Sequence, residues 1–100
     1  MSIRSILAVM TVLIAASSAN VLAEDTANRT VEQYTCKDVM RENGSNRDTS
    51  IAFLHGYLLG KSGGSEFNIE TLAKQTDAFI DRCLDNPSEK AEDVMLEVKK

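Results

Sequence analysis

The chain has 100 residues, carries 15 Asp and Glu against 11 Lys and Arg for a net charge of −4, and is 43% hydrophobic. That length bounds it to one small domain, and the acidity argues against nucleic acid as a partner. Two distant cysteines and one histidine make a poor zinc set, and the absence of Cys-x-x-Cys disfavours a thiol oxidoreductase.

Residues 1–23 read as a secretory signal peptide. Arg4 gives the basic start, Ile6 to Ala16 is apolar apart from Thr11, and Val21-Leu22-Ala23 is a small-residue cleavage pattern. The apolar run is shorter than the roughly 20 residues a spanning helix needs, so no membrane attachment is expected after cleavage. Export to an oxidising compartment follows. Losing Arg4 leaves ten basic side chains against all 15 acids.

Residues 24–33 are polar without apolar periodicity, which predicts a mobile leader. The helical domain is expected over residues 34–100. Thr35-Cys36-Lys37-Asp38 has capping-box spacing and opens a short helix to about Glu42. Asn43-Gly44-Ser45-Asn46 reads as a turn, after which Asp48 and Thr49 can cap a second helix running to about Gly60. Lys61 to Ser65 is a flexible loop. Asn68 caps the third helix, with Ile69, Leu72, Ala73, Thr76, Phe79, Ile80, Cys83 and Leu84 spaced as one buried stripe. Asn86-Pro87 stops it. Ser88 restarts the chain into a last helix, with Ala91, Val94, Met95 and Val98 inward and Lys99-Lys100 at its end. The fold class is therefore all-α, a small four-helix orthogonal bundle.

Domains this small are marginal without a staple. In an oxidising compartment Cys36 and Cys83 most simply form one bridge, with two free buried thiols as the alternative. Closing a loop of about 48 residues contributes roughly 4 kcal/mol in the chain-entropy model, comparable with the whole stability of such a domain.

The second helix is unusual. Ile51, Leu54 and Leu58 share one face, Phe53 and Tyr57 a second, and Ala52 and Leu59 a third, so it is apolar almost all round. A domain of this size covers one broad face; the rest awaits a partner or forms a binding surface. Ala52, Gly56 and Gly60 form a small-residue column suited to a dimer seam, against the alternative of an ordinary central helix. His55 is expected at the helix edge and partly buried rather than as a pH switch. Met40 and Met95 are core fillers. Asn28-Arg29-Thr30 and Asn43-Gly44-Ser45 fit the glycosylation pattern only as chance matches. Catalysis finds little support: there is no nucleophile elbow, phosphate loop or metal cluster, and Asp77 and Asp81 suit a solvated face. No cofactor is expected.

Tyr34-Thr35-Cys36-Lys37-Asp38, the Ile51-to-Gly60 helix and Phe79-Ile80-Asp81-Arg82-Cys83 in a short exported chain resemble the HdeA/HdeB acid-stress chaperones of the bacterial periplasm. The resemblance spans about Tyr34 to Val98. It implies an all-α homodimer at neutral pH with one intramolecular disulfide, matched by Cys36 and Cys83. Acid would separate the dimer and expose apolar surface that holds unfolding periplasmic clients without ATP. Ile51, Phe53, Leu54, Tyr57, Leu58 and Leu59 match the family's association and client stretch. The acidic leader and the His55-Gly56 pair depart from the best-known members. The competing class is a small exported immunity protein of the Rap1a/Tai type that binds one toxin. Its marks are Gly56-Tyr57-Leu58-Leu59-Gly60 and the Asn86-Pro87 turn, though such proteins usually carry further cysteines.

Overall fold

A computed structural model describes residues 27–100; the expected signal peptide and the first residues of the leader lie outside them. Within this range a 3₁₀ turn (Val31–Gln33) precedes four helices: α1 (Cys36–Arg41), α2 (Gly44–Lys61), α3 (Ile69–Asp85) and α4 (Ala91–Val98). The described residues contain no strand, only an isolated bridge between Thr35 and Lys90. The fold is an all-α four-helix bundle, as expected.

Local chemistry sets the helix ends. Asp38 N–H donates to Thr35 Oγ1 at 3.2 Å and Thr35 N–H to Asp38 Oδ2 at 3.1 Å, completing the capping box of α1. Two further amides at this end, those of Cys36 and Lys37, donate to the Glu89 and Pro87 carbonyls, both at 2.9 Å. The start of α1 is thus fastened to the α3–α4 connection.

The α1–α2 junction is tighter than the sequence suggested. Asn43 is itself the N-cap, its side chain accepting from Asn46 N–H at 3.0 Å, so α2 begins at Gly44 and not near Asp48. Asn, Gly and Ser serve turns and caps alike, and here the extended backbone at Asn43 makes the corner in two residues. Arg47 closes it by donating to the Met40 carbonyl at 3.2 Å. At the other end, Gly63 has φ +79. Its N–H reaches the Gly60 carbonyl and that of Gly64 the Leu59 carbonyl, both at 3.0 Å, forming a Schellman stop.

Asn68 caps α3 through Thr71 N–H at 2.9 Å. The last helix starts at Ala91, three residues past Ser88, because Pro87 and Ser88 form a turn, closed by Glu89 N–H donating to the Asn86 carbonyl at 3.2 Å, and the extended Lys90 then pairs with Thr35 beside α1. Part of the expected leader is docked: Val31 packs against the core.

Cys36 and Cys83 are disulfide-bonded, joining the start of α1 to the last turn of α3. Around the bridge lie Val39, Leu54, Phe79, Val94 and Met95, each essentially enclosed. Met40 packs on the margin of this core.

Candidate functional site

The candidate site is the surface of α2 that its own domain leaves uncovered. Ile51, Leu54 and Leu58 are buried against α1 and α4. Phe53 is 53% exposed, Ala52 and Gly56 are exposed, and Tyr57 and Leu59 are half-buried. The eight residues read from sequence as an association surface therefore divide into three core positions and five that face outward. A Cβ placed on Gly56 or Gly60 would meet no atom within 4 Å, so nothing in the monomer uses the small-residue column.

Two apolar features flank α2. On one side Phe53 and Tyr57 stack with ring centroids 5.8 Å apart. Lys61 Nζ lies 5.3 Å from the Tyr57 centroid and 2.9 Å from Glu92 Oε2. The Glu92 carboxylate, hydrogen-bonded and opposite in charge, holds the Lys61 ammonium pKa above its ordinary value.

On the other side α2 and α3 diverge, leaving a cleft of about 720 Å³ lined by Ile51, Ala52, His55, Gly56 and Leu59 of α2 and by Phe67, Leu72, Ala73 and Thr76. Phe67, on the cleft wall, is 61% exposed, and Ile69, at the start of α3, is 70% exposed. The expected buried stripe of α3 is thus enclosed only at Phe79 and Cys83. Ile69, Ala73 and Leu84 are exposed, and Leu72, Thr76 and Ile80 half-buried. The spacing fixed which side of α3 is apolar, but neighbours enclose only Phe79 and Cys83, and no residue of the first half is fully covered.

His55 differs from its expected place at a helix edge. It is 7% exposed at the floor of the cleft, with Nε2 2.8 Å from Thr76 Oγ1. Burial, and then the nearby Lys99 ammonium, hold its imidazole pKa below the ordinary value.

Sequence reasoning missed a carboxylate clamp at the end of α1. Glu42 Oε2 accepts from Tyr34 Oη at 2.8 Å and Arg29 Nε at 3.2 Å, while Oε1 accepts from Arg29 Nη2 at 3.3 Å. The Tyr34 hydrogen bond first, and the Arg29 guanidinium second, hold the Glu42 carboxyl below the usual carboxylate range. No local motif links positions 29, 34 and 42; only folding of the leader onto α1 does. Asp77 and Asp81 are exposed. Among the described residues no group of three or more His, Cys, Asp or Glu side chains could hold a metal ion, and no helix is long and apolar enough to cross a membrane.

Comparison with protein families matches the model of the HdeA/HdeB family to residues 6–93. Comparison with curated proteins and with solved structures returned no match.

Proposed function

The chain belongs to the HdeA/HdeB family of acid-stress chaperones, and from that membership we propose that it is an ATP-independent holdase of the periplasm. At neutral pH two copies pair through the outward faces of α2, contributed by Ala52, Phe53, Gly56, Tyr57 and Leu59. In strong acid the pair separates, and loosening of the domain adds Ile51, Leu54 and Leu58 to the surface offered to unfolding clients. The observation that carries this reading is a helix apolar nearly all round with one face covered by its own domain.

Acid supplies the trigger through charge. Protonating the 15 carboxylates turns an exported chain with ten basic side chains from net negative to strongly positive. It also removes the negative partner of the Arg29–Glu42 and Lys61–Glu92 ion pairs. The Cys36–Cys83 bond does not titrate, so the opened chain stays cross-linked and its apolar residues stay clustered.

Light scattering of an acid-labile client at about pH 2–4 tests the chaperone activity. Stoichiometric protein should suppress aggregation; no suppression ends the proposal. Mass measured from pH 7 to pH 2, with and without disulfide reduction, tests the dimer. A monomer at neutral pH at working concentration would remove the pairing step.

A further inference from the structure

Strong-acid activation through carboxylates leaves His55 without a part, yet its surroundings are specific. Its Nε2–Thr76 Oγ1 hydrogen bond, 2.8 Å long, joins α2 to α3 across the floor of the cleft. Its Nδ1 is buried with no hydrogen-bond partner. A neutral ring tolerates this arrangement: the Thr76 hydroxyl donates or accepts as the tautomer requires, and Nδ1 can hold its lone pair. An imidazolium has donors at both nitrogens, so Nδ1–H would be enclosed without an acceptor.

The groups facing the ring oppose a second positive charge there. From the end of α4, Lys99 lines the same cleft and donates through Nζ to Gln75 Oε1 at 2.8 Å. From α3 come the neutral Gln75 and Thr76. Asp48, about two turns earlier on α2, and Glu66 in the α2–α3 loop line the cleft, but both are exposed and neither hydrogen-bonds the ring.

We infer that His55, Thr76 and Lys99 form a latch that holds α2 and α3 together while the imidazole is neutral, and that mild acid opens the cleft before the carboxylates titrate. This deepens the holdase reading, on which its use in the cell rests, by giving part of the same surface an earlier trigger. The depressed imidazole pKa of the closed form agrees with it. The closed cleft binds the proton less tightly than an open, hydrated one. Closure is therefore fully favoured above the ordinary histidine value of about 6.5 and weakens as pH falls from there to the ring's own lowered value. One linked proton can raise opening by at most about tenfold per pH unit.

The test follows the His55 ring by NMR from pH 8 to 4.5 in the oxidised mature protein, alongside fluorescence of the neutral apolar dye Nile red. The ring should titrate below about 6.5, with dye fluorescence rising along the same one-proton curve. His55→Gln, which keeps a group able to bond Thr76, should lose that rise. Lys99→Met should move the ring's midpoint upward and shrink the rise. Dye fluorescence unchanged through the ring's titration, or an equal rise in His55→Gln, overturns the latch; the wild-type measurement decides alone should a variant fail to fold. At about pH 2, below the ordinary carboxylate values of about 3.9 to 4.3, His55→Gln should protect a client as well as the wild type. If neither protects, the holdase reading falls and the dye titration still judges the latch.

Discussion

The two halves of α3 carry the same apolar spacing and meet different surroundings. Phe79 and Cys83, toward its end, have no measurable exposure, whereas Ile69 at its start is 70% exposed and Leu72 half-buried beside the cleft. The closed half has neighbours on two sides, α1 through the disulfide and α4 through packing. The open half faces α2 across a gap bridged by His55 and Thr76. A stripe says where apolar side chains project; burial needs a second surface to project onto. In this molecule stability is concentrated at the stapled end, and the proposed function at the open one.

That contrast is most directly broken at the staple. Reducing Cys36–Cys83 should cost about 4 kcal/mol, and denaturant titration with and without reductant should show the reduced protein largely unfolded at neutral pH. A loss below about 1 kcal/mol would mean that packing, and not the bridge, secures this end.

Side-chain truncation sharpens the contrast within one helix. Phe79→Ala should cost about 3–5 kcal/mol, the range for an enclosed aromatic residue. Ile69→Ala should stay within about 0.5 kcal/mol in the monomer. Similar costs at both positions would show that the first half of α3 is covered in solution.

Gly56→Leu probes the open face of α2 without touching the core. A Cβ there meets no atom within 4 Å, so the monomer should remain folded and gain up to about 1 kcal/mol from helix propensity. Sedimentation at neutral pH should show weakened pairing. A dimer of unchanged strength would move the seam elsewhere.

The smallest expected effect concerns acid sensitivity at the stapled end. Glu42 has a depressed pKa when folded, so its stabilisation is present above the unfolded carboxylate value of about 4.3 and lost as pH falls through the folded value. Glu42→Gln should therefore cost about 1 kcal/mol at pH 7, discounted for the half-exposed Arg29 partner, and almost nothing near pH 2. Parallel stability–pH curves for variant and wild type would rule out this clamp as a contributor.

Much of the scaffold was legible in short stretches. Thr35 with Asp38 and Asn68 before Ile69 place helix starts correctly because a cap is satisfied within three residues of itself. Asn43 misled because the same side chain serves a turn or an N-cap, and the choice depended on Arg47 reaching back to the carbonyls ending α1. Much of the site was not legible: His55, Thr76 and Lys99 come from α2, α3 and the residue that caps α4, as the Glu42 clamp comes from residues 29, 34 and 42.

By itself the sequence determined an acidic all-helical chain with one possible disulfide and a helix too apolar for a domain this small to enclose. Those properties belong to composition, to spacing along one helix, or to two cysteines with only one possible connectivity. Tertiary structure alone decided which face of α2 was buried, that the first half of α3 stayed open, and that an imidazole came to rest near an ammonium with one nitrogen unpartnered. Burial and pKa depend on neighbours distant in sequence, whose positions are set only when the helices dock.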